Sequence, residues 1–232
     1  MADSTRLIES VHSHMRRVPW LRKYCNRCLK TERYGGNVAL MVIDASFMSL
    51  GLNYFTAVVP AVLKIKDLIP GVDLEKLRDI EVEEMRKMWK NRRSWNVAKS
   101  VADFLCQLKE DEGCDDRRAL RLWASRSRVE EWKEDPIGSI KGVGINTYQY
   151  LRMMGGIDTV MPDRIVKRVI NDILTRSGYE AVEDDMAFIR KVHEIAEITG
   201  YRAIELCWMT WLVQYEGKNL RAEKYRSVMD LI

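Results

Sequence analysis

Three groups of residues in this sequence have types and spacings that could do chemistry. The first is Asp163, which follows Pro162 at the opening of a helical pattern and is succeeded by Val166-Lys167-Arg168-Val169. Proline suits the first turn of a helix, where free amides and the dipole favour the charged form of an acid. An aspartate kept anionic can stabilise positive charge that builds during a bond cleavage and can orient an attacking water. Capping of the helix, for which aspartate is also a preferred residue, is the plain alternative. The second group is the Gly142-Val143-Gly144 turn between two apolar segments. Two glycines around one valine suit a tight bend whose amides face outward, and a helix beginning near Ile145 adds unpaired donors that favour a phosphate. An ordinary interhelical turn is the competing reading. The third is Cys25-Asn26-Arg27-Cys28, with His12 and His14 upstream. That spacing can ligate zinc, but without a second cysteine pair it reads as two buried thiols on one helical turn.

The elements that must position these residues read as helices. Asp3 and its neighbours cap an amphipathic opening helix bearing Leu7, Ile8, Val11 and Met15, and Pro19 ends it. After the break at Gly35-Gly36, residues 38–65 form two apolar segments divided at Gly51 and bent or restarted near Pro60. Short helices follow over 73–79 and 81–90, then a longer one over 95–108 with Val97, Val101, Phe104, Leu105 and Leu108 on one face. A helix over about 115–132 carries the densest basic run, Arg117, Arg118, Arg121, Arg126 and Arg128, beside the acidic Glu130, Glu131 and Glu134. That run suits a DNA-facing surface or a solvated helix face equally. Residues 162–176, 183–198 and 201–214 are the later helices, with a terminal one from Asn219. No alternating strand pattern persists, so the expected fold is all-α.

Thirty-eight Lys and Arg against 34 Asp and Glu give a formal charge of +4, which permits nucleic-acid binding without demanding it. Five irregularly spaced cysteines do not form an extracellular disulfide framework, and the charged N-terminus lacks the apolar core of a signal peptide. An intracellular location is expected. The apolar run 38–52 is interrupted by Asp44 and two serines and is too short to span a bilayer, so it reads as a buried helix.

The run Ile140-Lys141-Gly142-Val143-Gly144, paired with Asp163 and Val166-Lys167-Arg168-Val169 behind it, resembles the helix-hairpin-helix DNA glycosylases. That superfamily includes endonuclease III, the adenine glycosylase MutY and the alkyl-purine glycosylases. The resemblance implies two helical lobes with a base pocket in the cleft between them. It places residues 1–36 and 109–232 in one lobe, with the helix-hairpin-helix over about 137–154, and 37–108 in the other. It implies that Lys141, Gly142, Val143, Gly144, Asn146 and Thr147 contact DNA and that Asp163 is the catalytic carboxylate. Asp158, the rival acid, lies closer to the hairpin than the family's spacing allows.

Bifunctional members carry a nucleophilic lysine at the second position after Gly-Val-Gly, where this chain has Asn146. The resemblance therefore implies a monofunctional enzyme that uses water, with Asn146 left to cap the helix or line the pocket. Many relatives hold an iron-sulfur cluster on four closely spaced C-terminal cysteines; only Cys207 lies there, so no cluster is expected. Main-chain carbonyls of Gly138, Ile140 and Val143 are implied as ligands of a sodium or potassium ion. The family's base-gap residue would fall near Ser46, with Phe47 and Met48 as substitutes, and Trp20, Tyr24, Tyr54, Trp208, Trp211 and Tyr215 are aromatic pocket candidates with core packing as the alternative. The implied substrate is double-stranded DNA with a flipped damaged base, an alkylated purine first and a deaminated base such as hypoxanthine or uracil next. A monomer without membrane association is expected. A non-catalytic helix-hairpin-helix DNA-binding module is the alternative function.

Overall fold

The computed structural model describes residues 3–48 and 51–232. In chain order its helices are α1 (Ser4–Met15), α2 (Leu21–Leu29), α3 (Val38–Met48), α4 (Val59–Leu68), α5 (Leu74–Asp79), α6 (Val82–Met85) and α7 (Arg92–Glu112). They continue with α8 (Asp116–Arg126), α9 (Ile145–Met154), α10 (Arg164–Arg176), α11 (Asp185–Thr199), α12 (Ala203–Leu212), α13 (Arg221–Lys224) and α14 (Arg226–Asp230). The fold is all-α, as the periodicity implies. A two-residue antiparallel pair, Tyr215–Glu216 against Asn219–Leu220, interrupts the helical pattern near the C-terminus. It turns through Gly217, whose φ of 63° is open to glycine at little cost. Among the described residues no helix is long and apolar enough to cross a membrane.

The chain divides into two compact units, Met1–Asn26 with Asp158–Asp230, and Arg27–Ile157 with Leu231–Ile232. In the first, α1 packs on α10 and α11, and α12 packs on the same two helices. Leu7 and Val11 of α1 are buried with Val166, Ile170 and Leu174 of α10, Phe188 and Val192 of α11, and Leu206 and Met209 of α12. Asp3 caps α1, its Oδ1 accepting the amides of Thr5 (2.9 Å) and Arg6 (3.2 Å).

In the second unit α3 is the centre. Every residue from Val38 to Phe47 is buried, so this helix must be covered on all sides. Helices α7 and α9 pack against it, and α8 packs on both of those. This division differs from the expected one, in which residues 27–36 and 109–157 joined the C-terminal half. The apolar faces of α8 (Ala119, Leu120, Trp123, Ala124) and α9 are buried on α3 and α7 instead. Of the apolar run 38–52, Ser49 and Leu50 lie outside the described residues.

The helix expected over 115–132 ends early. Ser127 is extended (φ −74°, ψ 139°) because the buried Arg152 of α9 takes its polar groups: Nε donates to the Ser127 hydroxyl (2.8 Å) and Nη2 to its carbonyl (3.3 Å).

At the heart of the second unit lies a wholly buried polar knot. Oδ2 of Asp44 on α3 accepts from Arg33 Nη2 (2.9 Å) and from the hydroxyls of Tyr34 (2.9 Å), Tyr54 (3.0 Å) and Tyr150 (3.0 Å). Asp44 was legible only as an interruption of an apolar run. Its partners come from the short turn Arg33–Gly36, the π-helical turn Tyr54–Val58 and α9, so one carboxylate ties three other segments to the central helix.

Candidate functional site

The glycine bend belongs to the second unit. Asp135 prepares it: its Oδ1 accepts the amides of Ile137 (2.8 Å) and Gly138 (3.3 Å), while Trp123 Nε1 donates to the same carboxylate (3.0 Å). Residues 132–142 form successive turns instead of a regular first helix. Gly142 has φ +109° and abuts α7: an ideal Cβ there would stand 2.9 Å from Val97 Cγ2 and 3.1 Å from Arg93 Nε. Only glycine meets both demands. The Val143 amide donates to the Ile140 carbonyl (2.9 Å), and the α9 ladder begins with Tyr148 N–H to Gly144 O (3.0 Å). Amides ahead of Tyr148 therefore stand outside the helical ladder, at the positive end of the dipole. Gly144 caps α9 without a side-chain bond, is exposed, and has open space where a Cβ would go.

The side chains around this bend divide in two. Lys141 is exposed, whereas Thr147 is buried, so its hydroxyl is not presented to a strand. Asn146 does not cap α9, since Gly144 holds that place; it lies in the first turn, and its buried Oδ1 has no hydrogen-bond partner among the described residues.

Asp163 belongs to the first unit. It is the cap of α10 and not a member of its first turn, with extended backbone (φ −75°, ψ 166°). Oδ1 accepts the amides of Ile165 (2.7 Å) and Val166 (3.1 Å). Oδ2 accepts the indole N–H of Trp211 on α12 (2.9 Å). The expectation that its site simply favours the anion is corrected by the surroundings. Burial pushes the Asp163 carboxyl above its usual range, and the Val166 amide, Trp211 and the Ile165 amide only partly offset it. A carboxylate has about four lone-pair positions, so with three donors engaged it can still accept one more bond. The group is thus a fixed, partly dehydrated acid that keeps one position for a water or a cation.

Trp211 is the one aromatic candidate brought onto Asp163. Arg221 lies over its ring, 5.8 Å from the centroid, and donates from Nε to Glu216 (2.8 Å). The Lys167 and Arg168 heads behind Asp163 are already engaged: Lys167 with the Glu183 carbonyl and Asp185 (2.6 Å), Arg168 with Gln214. Asp158, the rival acid, is likewise held at a helix start in the first unit. It accepts the amides of Ala203 (3.2 Å) and Ile204 (2.9 Å) at the start of α12.

Most other candidates fill the interior. Phe47 is stacked on Trp89 (4.3 Å between centroids) and edge-on to Trp95 (4.9 Å), so it has no freedom to act as a wedge where it stands. Ser46 is buried and donates to the Val42 carbonyl (2.7 Å). Tyr24 is buried edge-on to Trp208 (5.1 Å). Met48 and Trp20 are half-buried. The Cys25 thiol is buried and donates to the Ile204 carbonyl (3.8 Å); that of Cys28 is pushed up to about 11 by burial, which opposes the thiolate a metal needs. Among the described residues no group of three or more His, Cys, Asp or Glu side chains is placed to hold a metal ion.

Comparison with known proteins adds a family and a fold. The family described as "Domain of unknown function (DUF8548)" matches residues 19–215. No curated protein matches the sequence. The crystal structure of the 8-oxoguanine DNA glycosylase of Thermotoga maritima is similar in fold, with a TM-score of 0.55 at 14% identity, over 90% of this chain and 96% of that one.

Proposed function

The chain belongs to the DUF8548 family, and since that description assigns no activity, we propose from fold and site that it is a DNA N-glycosylase. The observation that carries the reading is Asp163: a helix-capping carboxylate held by two amides and an indole, with a lone-pair position left over. Cleavage of a base from deoxyribose leaves positive charge on the sugar. An immobile anion in a partly dehydrated setting lowers that barrier more than one in bulk water, because the low dielectric strengthens the attraction. The remaining acceptor position would take a proton's share from the attacking water and orient it.

Asn146 stands where the bifunctional enzymes of the resembled superfamily have lysine. An amide cannot form a Schiff base with the sugar, so the proposed enzyme hydrolyses the bond with water and leaves the strand intact. The proposed substrate is duplex DNA with a damaged base, a purine first. The alkylated purines come from the sequence resemblance and the oxidised ones from the fold neighbour; hypoxanthine and uracil follow. In the same reading the exposed Gly144 bend and Lys141 hold a backbone phosphate. A sodium or potassium ion on the carbonyls of Gly138, Ile140 and Val143 would supply further attraction for that phosphate, but the Ile140 carbonyl already accepts the Val143 amide and offers only its second lone pair.

The second reading is a DNA-binding module without chemistry, and the same hydrogen bonds favour it: they would be present if Asp163 were only a cap. A panel of duplexes bearing alkylated, oxidised and deaminated bases separates the two. The expected result is release of one class of base, with strand breaks appearing only after alkali. Release of no base from any duplex would leave the module reading standing, and breaks without alkali would overturn the role inferred from Asn146.

Trp211 gives a pH prediction. Its indole N–H lowers the carboxyl's proton affinity, so Trp211→Phe should raise that affinity further. The reaction needs the anion, and the acid limb of the base-release profile should therefore move to higher pH. A hydrogen bond to a charged acceptor is worth ~1.5–3 kcal/mol, so the rate on the acid side should fall about 10- to 150-fold, with a much smaller change above neutrality. An unshifted limb would show that Trp211 does not tune the reacting acid.

A further inference from the structure

The proposed reaction makes no use of the basic run on α8. Four of its surroundings' cations, Lys30, Arg117, Arg118 and Arg121, line an open pocket of about 430 Å³ in the second unit together with Glu32 and Asp115. Two of the guanidinium groups are fixed by the main chain. Arg117 Nη2 donates to the Lys30 carbonyl (2.8 Å), and Arg121 Nη1 donates to the Leu29 carbonyl (3.0 Å) and the Thr31 hydroxyl (3.3 Å). Thr31 in turn donates to the Met154 carbonyl (2.8 Å), which anchors the acceptor segment to α9.

A glycine lies under each fixed arginine. An ideal Cβ on Gly36 would stand 3.4 Å from Arg117 Cδ, and one on Gly156 would stand 3.1 Å from Arg121 Nη1. The glycines therefore leave room for both side chains at the pocket wall, and their hydrogen bonds hold them there, which reduces the entropy lost on binding an anion. Of the two acids, Asp115 is occupied as the α8 cap, accepting the Arg118 amide (2.7 Å). The neighbouring Glu112 is paired with Arg126 (2.7 Å). Lys30 and Arg118 are exposed and in no ion pair among the described residues. Four cationic against two acidic side chains leave a surplus of two positive charges.

We propose that this pocket is an accessory phosphate site that grips the backbone of the bound duplex in addition to the glycine bend. The inference rests on the DNA reading above in one respect, that the phosphate belongs to a nucleic-acid strand. A free phosphate shares the chemistry, and the test separates the two sources. Binding of the full chain to an undamaged duplex is measured across a salt series for the native protein, for Lys30→Gln/Arg118→Gln and for the charge-preserving Lys30→Arg/Arg118→Lys. Each phosphate neutralised on B-form DNA contributes about 0.9 to the slope of log affinity against log salt, so the first variant should lose about 1–2 from that slope and the second should keep it. Lys141→Gln should lower the slope independently. Helicity by circular dichroism confirms that the variants are folded, which their exposed positions favour.

A native slope in the Gln/Gln variant would overturn the inference while leaving the glycosylase reading intact. The parallel arm titrates inorganic phosphate and follows thermal stability. Phosphate stabilisation that is lost in the Gln/Gln variant, with the duplex slope unchanged, would assign the pocket to a free anion and also overturn it. No duplex binding by the native protein would remove the proposed function itself, and this inference with it.

Discussion

Asp163→Asn is expected to lower the single-turnover rate of base release by about 10²–10⁴-fold while duplex binding stays at the native level or tightens. The rate loss follows from removing a fixed anion beneath a developing cation, together with its capacity to orient water. Binding is spared because no strand contact is assigned to this carboxylate, and removing a negative charge cannot repel phosphates. Asparagine remains a good helix cap, so its Oδ1 can keep the Ile165 and Val166 amides. Its Nδ2 then faces the Trp211 N–H, donor to donor, and that bond is lost at a cost of ~1–3 kcal/mol.

Stability carries a separate signature with the sign fixed by the raised proton affinity of Asp163. A carboxyl whose folded value lies above its unfolded one adds stability in acid, and that contribution is lost as pH rises through the folded value. Asparagine does not titrate. Urea unfolding should therefore show the variant at its greatest disadvantage in acid and recovering relative to the native protein across that window. A rate within threefold of native in the same assay would refute the role of Asp163, whatever the stability did.

What could be read in advance was local. The positive φ at Gly142, the turn at Gly142-Val143-Gly144 and the acid at the head of α10 all follow from the conformational limits of single residues. What could not be read was partnership. Trp211 meets Asp163 across 48 residues of sequence, and Asp135 reaches Trp123 across 12, so neither pairing leaves a periodic trace. The direction of the Asp163 shift was missed for the same reason: cap amides are visible in sequence, while burial by distant side chains is not.

The aromatic candidates mark a second limit. Phe47, Tyr24 and Trp208 have the helical spacing of core residues, and the structure uses them as core. The units differ from the expected lobes at residue 109 because α8 packs on both α7 and α9, and helical periodicity says which face is apolar without saying what covers it. A polar residue inside an apolar helix was the stronger clue. Asp44 stands out as an interruption of its apolar run, whereas its partners Arg33, Tyr34, Tyr54 and Tyr150 leave no trace there.

Those partners set the largest stability effect expected in the chain. Asp44→Ala leaves the guanidinium of Arg33, itself without exposure, facing no counter-charge. Breaking one side of a buried pair costs ~3–5 kcal/mol, a large share of the ~5–15 kcal/mol that holds a domain of this kind. Removing both charges should behave differently. Arg33→Met/Asp44→Leu takes away the uncompensated ion and should recover part of that loss, because apolar replacements of buried pairs are often close to neutral. Recovery stays incomplete here for a reason specific to this knot. Tyr34, Tyr54 and Tyr150 all donate to the same Oδ2, and although the Tyr54 and Tyr150 hydroxyls stand 3.0 Å apart and can serve each other, the Tyr34 donor loses this acceptor, at ~1–3 kcal/mol. Denaturant unfolding of Arg33→Met, Asp44→Leu and the double variant measures the coupling directly, with Asp44→Ala unfolded alongside as the reference. A double variant as unstable as Asp44→Ala would mean that the hydroxyl bonds, and not the ion pair, join α3 to the turn at Arg33, the π-helical turn and α9.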